Sequence, residues 1–137
     1  MGDSQRYSYT TADGKWGDAS LMPFLPLLLR SEKTSVSVSA LIDSGATVNV
    51  LPYSIGTQLE LKWEEQKTPI TLGGNLARLE AKGVVLTAEA QPFPPVRLAF
   101  AWVKSDEMPT LLGQMNFFME FNVCFYRAQE SFEIQPR

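Results

Sequence analysis

Thr34 to Ile42 alternates with a period of two, Val36, Val38 and Ala40 on one side and Ser35, Ser37 and Ser39 on the other. Such a segment is a strand with one dry and one wet face; a helix would scatter both sets around its axis. Before it lies a second apolar run, Phe24 to Leu29, and between them the polar turn Ser31-Glu32-Lys33, so the two read as a hairpin. The second strand then runs directly into Asp43-Ser44-Gly45-Ala46. An apolar strand thus delivers an acid, a hydroxyl and a glycine to its own end.

The rest of the chain is cut into similarly short runs. Val48 to Leu51 is stopped by Pro52, and Tyr53 to Leu59 fits a short helix or turn. Ile70 to Leu72 leads into the flexible turn Gly73-Gly74-Asn75, followed by Leu76 to Leu79 and a strand over Gly83 to Ala90. Gln91-Pro92-Phe93-Pro94-Pro95 is a rigid loop, because proline fixes φ and cannot donate to a ladder. Val96 to Val103 is a strand and Ser105 to Pro109 a turn. Leu111-Leu112-Gly113 precedes the best helix candidate, Gln114 to Phe121, and Asn122 to Tyr126 and Ser131 to Ile134 close the chain as strands. Many short strands with turns between them predict an all-β fold, closed or sandwich-like. Residues 1–20 are polar, with Asp13-Gly14 as a turn and a strand near Arg6 to Thr10; they read as a partly mobile arm ahead of a single domain over 21–137.

Composition narrows the chemistry. The 137 residues include no histidine and one cysteine. That excludes a Ser-His-Asp triad, a Cys-His dyad, a His-ligated metal and an internal disulfide. A net charge of −3 disfavours a nucleic-acid partner. The most apolar stretch, Leu21 to Leu29, is broken by Pro23 and Pro26 and falls far short of the roughly 20 residues a spanning helix needs. With Asp3, Asp13 and Asp18 upstream it reads as a strand, not as an export leader. A single cysteine without such a leader points to a reducing compartment, the cytoplasm being the expectation. Cys124, flanked by Val123 and Phe125, reads as a small buried hydrophobe, and Trp63 and Trp102 as packing or surface anchors.

Asp43 is the residue that chemistry turns on. A carboxylate at the end of a core strand is costly unless hydrogen-bonded. Gly45 lets the backbone N–H groups of a tight turn reach it, and Ser44 can add a further hydrogen bond. Taken alone, Asp-Ser-Gly also fits an ordinary acid-capped turn at a strand end.

With its flanks the segment says more. Leu41-Ile42-Asp43-Ser44-Gly45-Ala46, then Val48 to Leu51 and Pro52, resembles the active-site segment of the retroviral-type aspartic proteases, the retropepsins. Leu111-Leu112-Gly113 resembles their second hallmark, and Thr71 to Ala90, which contains Gly73-Gly74 as the expected flap tip, falls where these enzymes carry a β-hairpin flap. The resemblance spans roughly residues 20–137. It implies a closed, mainly antiparallel β-barrel with one short C-terminal helix. It also implies an aspartic endopeptidase that needs neither metal nor cofactor and acts on an extended polypeptide. Asp43 would be catalytic, with Ser44, Gly45 and Ala46 supporting it. Thr47, Leu72, Gly73, Gly74, Asn75 and Leu76 would contact substrate, and Val48, Val50 and Leu51 would help to line its pockets.

The chain carries one Asp-Ser-Gly, half of the pair such enzymes use. The active form implied is a C2 homodimer with two copies of Asp43 meeting on the axis. The alternation of Phe132 and Ile134 with Ser131, Glu133 and Gln135 suits a strand woven into such an interface. Many viral members pair an acid shortly after the motif glycine with an arginine after the second glycine; here Thr47 and Gln114 stand there, so both charges are gone together. A non-catalytic dimerisation or peptide-binding module on the same fold is the second reading, and a lone barrel holding a small ligand the third.

Overall fold

The computed structural model describes residues 3–11 and 21–137. The Asp13-Gly14 turn and most of the expected mobile arm lie outside them. In chain order the elements are β1 (Gln5–Ser8), β2 (Thr10–Thr11), β3 (Leu21–Met22), β4 (Phe24–Arg30), β5 (Ser35–Ile42), β6 (Asn49–Leu51), α1 (Tyr53–Gln58), β7 (Pro69–Ile70), β8 (Ala81–Glu89), β9 (Val96–Val103), β10 (Leu111–Leu112), α2 (Phe117–Glu120), β11 (Phe121–Tyr126) and β12 (Ser131–Pro136).

The predicted hairpin forms with Phe24 opposite Leu41 and Arg30 opposite Ser35. The serines of β5 face solvent, while Ala40 and Ile42 are buried. β4 then pairs with β8 on its other edge, so β4-β5-β10-β6-β9-β8 closes on itself as a six-strand barrel. All but two of its pairings are antiparallel; the parallel ones are β5 with β10 and β6 with β9. Closure removes the exposed edges an open sheet would carry.

The main core fills this barrel, with Leu25, Leu29, Leu51, Leu86, Leu98, Trp102, Leu112 and Phe117 among its buried members. Trp102 is wholly buried, stacked on Tyr53 at 5.6 Å and edge-on to Trp63 at 5.2 Å, so both tryptophans are packing residues. Its indole lies so close to α1 that a Cβ on Gly56 would sit 2.1 Å from Nε1. That contact, not turn geometry, explains a glycine inside a helix.

Three expectations need correction. The helix expected over Gln114 to Phe121 is confined to Phe117–Glu120. Met115 cannot join it because its carbonyl accepts from Asn49 N–H, and Met119 N–H, which would bond it in a helix, donates to Asn116 O. Cys124 is exposed, not buried: β11 turns Phe121 inward, and Cys124 lies opposite Glu133. Ser131 is buried where a wet face was expected, and its hydroxyl has no partner. β12 itself has both edges occupied within the chain, by β1 and β11, while Phe132 and Ile134 enter the core and Phe132 stacks on Tyr7 at 5.3 Å.

Candidate active site

β10 sits between β5 and β6, the two strands that the Asp43 loop joins. The parallel register of Leu111 with Leu41 and Leu112 with Ile42 continues past the strand ends as a run of backbone hydrogen bonds. Asp43 N–H donates to Leu112 O at 2.9 Å, Gln114 N–H to Ala46 O at 2.9 Å, Met115 N–H to Thr47 O at 2.8 Å and Asn49 N–H to Met115 O at 3.1 Å. The loop is therefore held along its length by the segment after β10.

Within the loop, Ala46 N–H donates to Asp43 O at 3.1 Å and Gly45 N–H donates to Asp43 Oδ1 at 2.9 Å. The second bond fixes the carboxylate in one orientation. Asp43 is half-buried, and Ser44 and Gly45 are exposed. The acid is thus both oriented and reachable. Ser44 engages through its carbonyl, which accepts from Gln114 Nε2 at 2.8 Å. Thr47 is exposed.

Gly113 is required by close approach. A Cβ there would lie 2.6 Å from Val48 O and 2.7 Å from Ala46 O, both backbone atoms of the loop. Its N–H donates at 2.8 Å to Oδ1 of Asn49, whose side chain is wholly buried. Asn49 Nδ2 in turn donates to Ala99 O at 2.9 Å and Asn116 Oδ1 at 3.3 Å, and Asn116 Oδ1 also accepts from Ala99 N–H at 3.1 Å. One carboxamide thereby ties the loop, the turn after β10 and β9 together, with its hydrogen-bonding groups satisfied. The sequence reading missed Asn49 and Asn116. The available signal was a lone asparagine inside the apolar run Val48-Asn49-Val50-Leu51.

β7 and β8 pair as a short hairpin, Pro69 opposite Lys82 and Ile70 opposite Ala81. Its loop carries Gly73, Gly74 and Asn75, all exposed, with Gly74 at φ 60°. Leu72 is buried and Leu76 half-buried, both in a second apolar cluster with Val50, Val103, Met108 and Leu111. That cluster connects the hairpin loop to the strands flanking the Asp43 loop. Arg78 forms an ion pair with Glu107, and Lys104 N–H donates to Glu80 O at 3.0 Å, so the loop also rests on the turn before β10. Beside it opens an apolar cleft of about 160 Å³ lined by Val48, Ile70, Gly83, Ala99, Ala101, Met115 and Asn116 among others. No group of three or more potential metal ligands occurs among the described residues.

Solved structures carry this architecture. The retropepsin-like aspartic protease from Rickettsia conorii superposes with a TM-score of 0.67 at 12% identity, covering 96% of this chain and 91% of its own. EIAV protease, in complex with the inhibitor HBY-793, superposes with a TM-score of 0.54 at 18% identity, covering 71% of this chain and 86% of its own. No protein-family profile and no curated sequence matches the chain. The chain has the retropepsin-like fold, and at these identities the likeness is one of fold.

Proposed function

We propose that the protein is an aspartic endopeptidase that works as a homodimer, each chain contributing one Asp43. The observation that carries this reading is the Asp43 carboxylate, oriented by Gly45 N–H at 2.9 Å in a loop bonded to Leu112, Gln114 and Met115. The fold neighbours, both proteases by description, support it.

Two such carboxylates on a C2 axis cannot both ionise, so the pair holds one proton and a water between them. The ionised member takes a proton from the water as its oxygen attacks the scissile carbonyl carbon. The protonated member donates to the carbonyl oxygen. When the tetrahedral species collapses, the C–N bond breaks, the leaving nitrogen takes the proton that the first carboxylate gained from the water, and the new carboxyl's hydroxyl returns a proton to the pair. Because the pair must hold one proton, cleavage is fastest on the acidic side of neutrality.

The substrate on this reading is an extended polypeptide, held as a strand between the Asp43 loops and the β7–β8 hairpins, which serve as flaps. Thr47, Gly73, Gly74 and Asn75 offer contacts to its backbone. The apolar cleft by Val48 and Ile70, with Leu72 and Leu76 nearby, favours apolar side chains close to the cut.

The test is incubation of wild type and Asp43→Asn with a mixed peptide library across about pH 4–7, with cuts read by mass spectrometry. Cuts by wild type that vanish in Asp43→Asn are expected. A folded, dimeric wild type that cuts nothing would favour a peptide-binding module.

A further inference from the structure

We infer that Gln114 is a positioning residue for Asp43, acting through a single peptide group. The Ser44 carbonyl that accepts from Gln114 Nε2 at 2.8 Å and the Gly45 N–H that donates to Asp43 Oδ1 at 2.9 Å belong to the same planar amide. The chain of contacts is therefore Gln114 to Ser44 C=O, across the amide, to Gly45 N–H and Asp43. A hydrogen bond to an amide oxygen polarises the amide and strengthens its N–H as a donor. It also fixes the plane, and with it the direction in which the N–H points. Ser44 and Gly45 are exposed, so the side chain of Gln114 supplies a restraint that burial does not.

Gln114 itself is anchored, its own N–H being bonded to Ala46 O at 2.9 Å. Its side chain reaches a carbonyl 70 residues away in sequence from a fixed base. The missing acid–arginine pair makes sense in these terms. With no carboxylate at Thr47, the side-chain donor of residue 114 bonds the loop's own backbone instead. The inference rests on the protease reading of Asp43, but its geometry can be tested without catalysis.

The experiment compares wild type, Gln114→Leu and Gln114→Arg. Leu removes the donor and keeps the bulk; Arg restores N–H donors at similar reach. Amide hydrogen exchange at Gly45 is followed by NMR, and peptide cleavage is resolved into kcat and KM. Gln114→Leu is expected to speed Gly45 exchange and to lower kcat about fivefold, what a hydrogen bond of ordinary net strength is worth, with KM little changed. Gln114→Arg is expected to recover both. An active wild type whose Gly45 exchange and kcat do not respond to Gln114→Leu overturns the inference and leaves the protease reading intact. Loss in Gln114→Leu that Gln114→Arg does not recover also overturns it. If Gly45 responds while wild type cleaves nothing, the positioning geometry stands and the protease reading fails.

Discussion

Asn49 Oδ1 accepts the Gly113 N–H at 2.8 Å across 64 residues of sequence, and neither group is exposed to water. This bond fastens the turn after β10 to the distal end of the Asp43 loop. Asn49→Leu fills the same space but leaves the Gly113 N–H buried without a partner. That substitution is expected to cost about 1–3 kcal/mol, the desolvation of one orphaned buried donor. Urea unfolding measures it, and a loss below about 0.5 kcal/mol, the scale of a neutral surface change, would contradict the assignment.

Gly113→Ala tests the same junction sterically. Its Cβ would meet Val48 O at 2.6 Å and Ala46 O at 2.7 Å, atoms that move only if the loop backbone moves. Overpacking of this kind costs typically about 1–3 kcal/mol. Because the displaced segment follows Asp43, peptide cleavage should be lost even where the variant remains folded. An active Gly113→Ala enzyme of wild-type stability contradicts the close approach.

Glu60 closes α1 in the left-handed region at φ 61°, with Leu61 N–H bonded to Gly56 O at 3.0 Å and Glu60 N–H to Thr57 O at 2.9 Å. This is the helix-ending arrangement that glycine favours. Glu60→Gly relieves the strain of a side chain at positive φ and should raise stability by up to about 1 kcal/mol. A lower melting temperature would contradict the cap geometry.

Two tyrosines couple the β1–β12–β11 sheet to alkaline pH. The Tyr7 hydroxyl donates to Gln91 O at 2.9 Å, and burial raises its pKa above the usual 10.0. Tyr126 donates to Glu133 Oε1 at 3.1 Å, and that hydrogen bond, with the carboxylate's charge, raises its pKa as well. Both protons are held more tightly folded than unfolded. The stability they bring is fully present below about pH 10, the unfolded value, and is lost as pH climbs through the raised values. The double variant Tyr7→Phe, Tyr126→Phe should therefore lose less stability than wild type between about pH 9 and 11. Equal alkaline losses would contradict the linkage.

Features written in local pattern were legible in the sequence. The Ser/Val alternation of β5, the polar turn before it and the delivery of Asp43 to the strand end need only neighbours a few residues apart. The extent of α2 was not legible, because the Met115 carbonyl, an acceptor a longer helix would need, is claimed by Asn49 N–H far back in the chain. Cys124 was misread for a related reason. A short run such as Val123-Cys124-Phe125 does not say which parity faces the core; pairing with β12 decides it. Asn49 is marked in sequence only as a polar residue inside an apolar run, and its role, like that of Asn116, is set only when β6, β9 and the turn after β10 are side by side.

The central claim, that each active site takes one Asp43 from each of two chains, is tested most directly by mixing. Wild type at constant concentration is titrated with Asp43→Asn under conditions where subunits exchange, and the peptide-cleavage rate is followed. Random pairing leaves about half of the wild-type chains paired with each other at an equal mixture, so the rate should fall to about half and continue to fall with further variant. A rate that does not respond to added Asp43→Asn would mean that a single chain carries the whole site, and would contradict the account.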